Sequence, residues 1–122
     1  MKKMIALLLA AMMVLSMAAC ASKTAAAADS DLAYIQDKGT LVIGITDFEP
    51  MDYKDADGSW IGFDADMAKA FAESLGVTAE FVEIDWDNKI LELDSKTIDC
   101  VWNGMTLTAE VTSTMECSNA YC

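Results

Sequence analysis

Three short apolar runs, separated by segments with helical periodicity, set the strongest limit on how this chain can fold. The runs are Leu41 to Thr46, Val77 to Ile84 and Ile98 to Trp102, and β-branched residues are frequent in them. Runs of this length and composition are typical of buried strands. Because helical segments separate them, we predict a βαβ series, an α/β fold with a mostly parallel sheet flanked by helices.

The first predicted helix lies between the first and second of these strands. We expect it to begin at a cap provided by Asp64 and to run to about Leu75, where Gly76 ends it. Met67, Phe71 and Leu75 follow one another at four-residue spacing. Side chains at this spacing lie on one side of a helix, so we predict that they form its buried face.

A second, shorter helix is predicted from Asp87 or Asn88 to about Leu93. In open sheets of parallel strands, ligands bind in the crevice beyond the carboxyl ends of the strands. A binding site is therefore expected in the loops that follow the three strands. These loops are residues 47–53, 85–87 and 103–106.

The segment Asp55 to Gly58 is predicted to form a turn, because aspartate side chains accept hydrogen bonds from nearby backbone and glycine tolerates a positive φ. A calcium loop is the alternative for this segment. An EF-hand loop with its glycine at Gly58 would need an oxygen ligand at the position of Tyr53 and a bidentate glutamate at that of Asp64. These residues fit calcium poorly, so we expect no metal site.

Charge and residue usage favour binding over catalysis. The chain has 20 acidic residues against 8 lysines, with neither arginine nor histidine, and a formal net charge of −12. An acidic surface repels phosphate backbones, which argues against a nucleic-acid partner. The absence of histidine removes the usual general base at neutral pH and the commonest metal ligand. We therefore expect a protein that is not an enzyme and carries no cofactor.

The amino-terminal segment has the layout of a secretory signal. Lys2 and Lys3 precede an apolar run from Met4 to Leu15, which is too short for an ordinary transmembrane helix. Small residues then lead to Cys20. This order of charged, apolar and small residues predicts an exported protein.

The residues Met17 to Cys20 resemble a lipobox, in which a lipoprotein signal peptidase cuts before a cysteine that carries diacylglycerol. We accordingly predict lipidation of Cys20. Cleavage by an ordinary signal peptidase near Ala26 to Ala28 is the alternative. The predicted organisation is a lipoprotein-type signal peptide at residues 1–19, a flexible tether at 20–30 and a folded domain at 31–122.

Several short motifs in the remaining chain have an order and spacing that are specific as a set. They are GFDADMA at Gly62–Ala68, DWD at Asp85–Asp87, Ile98-Asp99, GMTLTAE at Gly104–Glu110 and SNAY at Ser118–Tyr121. Together they resemble the bacterial extracellular solute-binding proteins of the polar amino-acid type. The resemblance extends from about Leu41 to Tyr121.

The resemblance implies a periplasmic-binding-protein-like fold of two lobes that close around an amino acid or a related small polar solute. Such a protein is the substrate-binding component of an amino-acid ABC transporter, with ABC permease subunits as its partners. A lipid anchor would hold it to the membrane, at the outer face of the cytoplasmic membrane, or it would be periplasmic. In the family the chain crosses a hinge after the position of Tyr121, so residues 31–122 would form an incomplete first lobe, with the second lobe absent from this chain.

The resemblance also implies five ligand-binding residues in the loops after the strands. Phe48 would cover the ligand, although a phenylalanine in the core is the alternative. Trp86 would pack on the other side, and its ring face could attract a ligand cation, which leaves basic ligands possible. Asn103, Gly104 and Thr106 would hydrogen-bond the ammonium and carboxylate groups, with a plain turn as the alternative for Asn103-Gly104.

Val111 departs from the family's pattern. The family usually has at this position an arginine that binds the α-carboxylate of the ligand in a bidentate pair. Two substitutes are available in this chain. They are the start of the short helix near Thr108, where free N–H groups favour an anion, and Lys89, for which a surface role is the alternative.

Two other functions stay open on the same scaffold. Some members of this fold resemble cyclohexadienyl dehydratase and eliminate water and carbon dioxide from cyclic acids, and here Glu49 or Asp85 would have to act as acid or base. The other alternative is a ligand-sensing module without a transporter. Neither changes the predicted fold.

Three cysteines follow Cys20 in the sequence. Cys100 alternates with apolar neighbours in the third predicted strand, which indicates a small core residue. Cys117 and Cys122 could form a disulfide, although their spacing alone does not establish it.

Overall fold

The computed structural model describes residues 30–122. The helices are α1 (Asp31–Lys38), α2 (Phe63–Ser74), α3 (Lys89–Asp94) and α4 (Ala109–Thr114), with a 3₁₀ turn at Trp86–Asn88 before α3. The strands are β1 (Thr40–Ile45), β2 (Tyr53–Lys54), β3 (Trp60–Ile61), β4 (Thr78–Glu83) and β5 (Cys100–Val101). The predicted signal peptide, Cys20 and the tether up to residue 29 lie outside the described residues. Among residues 30–122, none of the helices has the length and apolar character needed to cross a membrane.

The boundary between two compact units falls within α1. In the first unit, the described residues form the first turn of the helix, where Ser30 accepts hydrogen bonds from the backbone N–H groups of Ala33 and Tyr34. The second unit, Ile35–Cys122, contains the rest of the fold and all of the features below.

A parallel three-stranded sheet forms the centre of this second unit, in the order β4-β1-β5. Thr40 pairs with Thr78 at one end of the β1–β4 ladder, and Ile45 pairs with Glu83 at the other. The central strand β1 is the most buried, because both of its edges are paired and Leu41, Ile43 and Ile45 are almost fully covered. The predicted α/β fold with a parallel sheet flanked by helices is confirmed.

The last strand is shorter than predicted, since β5 contains only Cys100 and Val101. Its neighbour Asp99 explains the shortening. The Asp99 backbone N–H donates to Val42 O at 2.8 Å, while its carboxylate accepts from Val42 N–H at 2.7 Å and from Lys38 Nζ at 2.5 Å. A side chain therefore takes the place of a backbone carbonyl in the ladder, and regular pairing starts one residue later.

A small antiparallel hairpin, β2-β3, was not predicted, but the turn inside it was. Asp55 Oδ1 accepts the backbone N–H groups of Asp57 and Ser59 at 2.9 Å each, and Gly58 N–H donates to Asp55 O. The carboxylate of Asp55 is thus engaged by its own loop, as the turn interpretation requires.

The start of α2 differs from the prediction. Gly62, with φ of 114°, occupies the cap position, and no side chain caps the helix. Asp64 lies in the first turn instead and is fully buried. Its backbone N–H donates to Met51 O at 2.9 Å, so the preceding loop provides the acceptor that a capping side chain would have supplied.

The face of α2 that packs on the sheet is also different. Ala68 and Ala72 pack with Leu41 and Ile43, and Ala65 packs with Ile45 and Trp60. The predicted face of Met67, Phe71 and Leu75 is wrong, since none of the three is buried and Phe71 is 44% exposed. Alanine side chains are short, so they allow the helix backbone to lie close to the sheet.

The connection after β4 begins with a 3₁₀ turn rather than directly with a helix. Asp85 caps this turn by accepting the Asp87 N–H at 3.1 Å, and α3 then begins at Lys89. The predicted helix start at Asp87 or Asn88 is therefore one or two residues early.

Cys100, Cys117 and Cys122 are all free thiols, so the suggested pairing of Cys117 with Cys122 is not formed. Cys100 packs against the core cluster under β1, as predicted. Burial, and then the charge of Asp99, raise the pKa of Cys100 to about 12. A thiol with such a pKa is inert at neutral pH.

Candidate functional site

The loops that follow β1 and β5 are joined to each other. Asn103 Oδ1 accepts the backbone N–H of Thr46 at 3.2 Å, and Asn103 Nδ2 donates to Thr46 Oγ1 at 2.7 Å. Next to this pair, Gly104 lies against the ring of Phe48, since a Cβ at Gly104 would be 2.7 Å from Phe48 Cε1. The two loops meet because β1 and β5 are parallel neighbours whose carboxyl ends lie at the same edge of the sheet.

A cavity of about 300 Å³ lies between the segment after β4 and the loop after β5. Trp86 and Lys89 contribute to it from the 3₁₀ turn and the start of α3, and Gly104 and Thr106 contribute from the loop after β5. The remaining lining residues are Ile90, Met105, Thr108, Glu110 and Val111. The cavity has the size, the mixed apolar and polar lining and the position expected of a small-molecule site in an α/β fold.

Trp86 and Lys89 form a local pair on the wall of the cavity. Lys89 Nζ lies 4.7 Å from the centroid of the Trp86 ring and donates to the Trp86 backbone oxygen at 3.1 Å. Both side chains are half-buried. The 3₁₀ turn produces this geometry, since it places the residue three positions after Trp86 above the ring.

The structure brings together three of the five predicted site residues, because Trp86, Gly104 and Thr106 all line the cavity. Phe48 does not line it but touches Gly104 from the side, and its ring is 52% exposed rather than in the core. Asn103 also lies outside the lining, and its side chain holds Thr46. Glu110 and Ile90 were not predicted, although Glu110 belongs to the motif that also contains Gly104 and Thr106.

The wall next to Lys89 carries no arginine. Val111 is 7% exposed and lines the cavity with an apolar surface. Its backbone N–H donates to Thr108 Oγ1 at 3.3 Å, so the Thr108 side chain caps the six-residue helix α4. One of the N–H groups that could have received an anion at this helix start is already bonded.

A second polar cluster lies beside the loop that carries Phe48. Asp52 and Asp64 are both fully buried, and Tyr121 Oη donates to Asp64 Oδ1 at 2.7 Å. Burial, and then the charge of Asp64, raise the pKa of Asp52 to about 7. Burial, together with the hydrogen bond to Asp64, also raises the pKa of Tyr121. The sequence alone does not indicate this cluster, because only the folded chain brings its members together.

The bacterial extracellular solute-binding proteins, family 3, have a sequence model that matches residues 41–122. The chain is 34% identical over 122 residues to the arginine-binding extracellular protein ArtP of Bacillus subtilis, covering 99% of this chain and 45% of that protein. It is 33% identical over 88 residues to the L-cystine-binding protein TcyJ of Escherichia coli, covering 71% of this chain and 33% of the relative. The chain thus spans less than half the length of these relatives.

Solved structures give the same result. The ancestral amino-acid-binding protein AncCDT-1, described as a precursor of cyclohexadienyl dehydratase, is 46% identical with a TM-score of 0.63. The alignment covers 66% of this chain and 36% of that protein. In both fold and sequence, the chain therefore matches one part of proteins that are longer than it is.

Proposed function

The chain belongs to the bacterial extracellular solute-binding proteins, family 3, and on that premise we propose that it captures an amino acid outside the cytoplasm for an ABC transporter. The observation that carries the proposal is the cavity beyond the strand ends, where Trp86, Gly104 and Thr106 come together. An aromatic face, a backbone that can be approached closely and a hydroxyl are groups that suit a small zwitterion.

Within this proposal, Trp86, Gly104 and Thr106 contact the ligand directly, and Phe48 covers it from the side of Gly104. Asn103 holds the loop in place through Thr46. Its amide still has one N–H that Thr46 does not use, which is the donor we assign to the ligand.

Isothermal titration calorimetry of the purified protein against amino acids, simple amines and dicarboxylates tests the proposal. We expect a dissociation constant of about micromolar or lower for one α-amino acid. Trp86→Ala should abolish the heat, whereas Phe63→Leu, at an exposed aromatic residue outside the cavity, should leave it unchanged. Heat only with amines or only with dicarboxylates would contradict the assignment to amino acids.

We further propose that Cys20 anchors the protein to the outer face of the cytoplasmic membrane. The support is the signal layout and the lipobox-like residues Met17 to Cys20. Labelling of expressing cells with an alkyne fatty acid should modify the protein, and Cys20→Ser should remove the label. Label retained in Cys20→Ser would contradict the anchor.

Delivery to permease subunits is the part of the proposal that distinguishes a transporter from a ligand-sensing module. Deletion of the gene should reduce uptake of the amino acid that binds in calorimetry. Uptake unchanged by deletion would favour a sensing module that binds the same solute.

An enzyme on the same scaffold is the second candidate, supported by the similarity to a precursor of cyclohexadienyl dehydratase. Elimination of water and carbon dioxide needs a general acid that protonates the leaving hydroxyl group, a role that a carboxyl group can fill. Glu49 and Asp85, the residues expected to act, do not line the cavity, whereas Glu110 does. Consumption of a cyclic hydroxy acid that is lost in Glu110→Gln would favour the enzyme, and amino-acid binding without such turnover favours transport.

A further inference from the structure

The cavity contains one positive and one negative side chain among its lining residues. Lys89 supplies the positive charge and Glu110 the negative one, while the other seven lining residues are neutral. A free α-amino acid carries the complementary pair, a carboxylate and an ammonium group. The lining therefore matches the charges of such a ligand, provided that Lys89 is available to bind it.

Lys89 differs from the lysines that form ion pairs in this structure. Lys38, Lys54 and Lys69 each lie within 4 Å of a carboxylate oxygen, at Asp99, Glu83 and Asp66 respectively. Within residues 30–122, no carboxylate oxygen lies that close to Lys89 Nζ, although the chain has a net charge of −12. Its ammonium group has three donors, of which the Trp86 carbonyl takes one.

We propose that Lys89 binds the carboxylate of the ligand in this cavity, and that the side chain of the ligand carries no positive charge. The inference rests on the proposed function, since it assumes that an amino acid occupies the cavity. It deepens that function in two ways, by assigning a carboxylate-binding residue and by narrowing the class of amino acid.

The carboxylate assignment follows from position as well as charge. Val111, which lines the same cavity, offers only an apolar surface, and Lys89 is the one cationic side chain among the described lining residues. Lys89 is held over the Trp86 ring, and two of its three ammonium donors are not taken by the Trp86 carbonyl. A charge-assisted hydrogen bond from this ammonium gives the ligand carboxylate a fixed place beside the ring.

The limit on the ligand side chain follows from the same contact. A guanidinium or ammonium group that stacked on Trp86 would lie next to the Lys89 ammonium, and like charges at this separation repel. Glu110 offsets part of this repulsion, but it lies in the exposed part of the lining, where solvent screens it. The cavity is thereby suited to a neutral or acidic amino acid, such as glutamine or glutamate, rather than to arginine.

Calorimetry with L-glutamine, L-glutamate and L-arginine tests both statements. For the best ligand, we expect Lys89→Met to weaken binding about 10- to 100-fold, the loss typical of one charge-assisted hydrogen bond. Lys89→Arg, which keeps a positive donor, should restore most of the affinity. Lys54→Met is the matched control, because Lys54 Nζ also lies over a tryptophan ring, at 4.9 Å from the centroid of Trp60, but outside the cavity.

A measurement on the unaltered protein makes the test independent of how well the variants fold. The carboxamide of the best ligand, which lacks the negative charge, should bind the unaltered protein about 10- to 100-fold more weakly than the free acid. It should also bind Lys89→Met and the unaltered protein equally.

The outcomes separate this inference from the function on which it rests. An amino acid that binds the unaltered protein and Lys89→Met equally well would overturn the carboxylate assignment while leaving the function standing. Tighter binding of arginine than of every neutral or acidic amino acid would overturn the limit on the side chain. The absence of binding heat with all α-amino acids would overturn the proposed function and this inference with it.

Discussion

The phenol of Tyr121 donates a hydrogen bond of 2.7 Å to Asp64 Oδ1, across a separation of 57 positions in the chain. Asp64 is fully buried, and its Oδ2 has no hydrogen-bond partner among residues 30–122. Tyr121 therefore supplies a hydrogen-bond donor to the buried carboxyl group of Asp64. It also fixes the end of the described chain against the first turn of α2.

Removal of this hydroxyl should destabilise the fold. We expect Tyr121→Phe to lower the free energy of unfolding by about 1 to 3 kcal/mol, because a buried acceptor loses its donor. Urea unfolding followed by circular dichroism measures the change. Tyr53→Phe is the control, since the Tyr53 hydroxyl has no described hydrogen bond, and an equal loss in both variants would contradict the assignment.

Asp52 has a pKa of about 7 in the folded protein, compared with the ordinary aspartate value of 3.8. This difference predicts a specific pH dependence of stability. Between about pH 4 and 7, the folded protein binds a proton at Asp52 that the unfolded chain releases. The contribution of this proton to stability is complete below about pH 4 and is lost as the pH rises through about 7. Ordinary carboxylates with lowered pKa values change stability in the opposite direction.

Asp52→Asn isolates this contribution because it keeps the size of the side chain and removes its titration. From pH 5 to pH 8, we expect the unaltered protein to lose about 1 to 3 kcal/mol more unfolding free energy than the variant does. Asp57→Asn, at an exposed aspartate, is the control. Parallel pH profiles for Asp52→Asn and the unaltered protein would show that Asp52 does not titrate in this range.

Gly62 and Gly58 both have positive φ, but a side chain would meet very different surroundings at the two positions. A Cβ at Gly62 would lie 2.4 Å from the Met51 backbone oxygen, whereas one at Gly58 would have nothing within 4 Å. We expect Gly58→Ala to lower the free energy of unfolding by about 1 to 2 kcal/mol, because an alanine is strained at the Gly58 φ of 82°. Gly62→Ala should lower the free energy of unfolding by about 3 kcal/mol or more, because the clash with the Met51 backbone adds to the strain. Equal losses in urea unfolding would contradict the clash.

The bonds between Asn103 and Thr46 predict that the two side chains are energetically coupled. Asn103→Ala should lower the unfolding free energy by about 1 to 2 kcal/mol, and Thr46→Val should remove part of the same interaction. The double variant should therefore lose less than the two single losses combined, by about 0.5 to 1 kcal/mol. Asn103→Ala combined with Thr97→Val should be additive, and additivity in both pairs would rule out the coupling.

The parallel sheet could be predicted because apolar, β-branched runs of this length have few stable places other than a covered sheet. The buried face of α2 could not. Ala65, Ala68 and Ala72 follow a helical spacing just as Met67 and Phe71 do, so periodicity alone does not say which stripe meets the sheet. The alanine face packs on the sheet because its short side chains allow the helix to approach the strands more closely.

The position of the cavity was predictable for a similar reason, because Trp86, Gly104 and Thr106 all follow parallel strands. The place of Lys89 above Trp86 depends on a 3₁₀ turn that a helix prediction does not distinguish from a regular first turn. The electrostatic effect of Asp64 on Asp52 could not be predicted from the sequence, since it needs the loop before β2 to return to the start of α2.

Trp86 also gives the cavity an optical signal of its own. The emission of an indole ring depends on the water and charge around it, and a ligand that draws Lys89 toward its carboxylate would change both at this ring. Trp60 is 8% exposed, and neither it nor Trp102 lines the cavity, so these two rings would supply a steady background. Occupancy of the cavity can therefore be followed in the unlabelled protein by the emission wavelength of its tryptophan fluorescence.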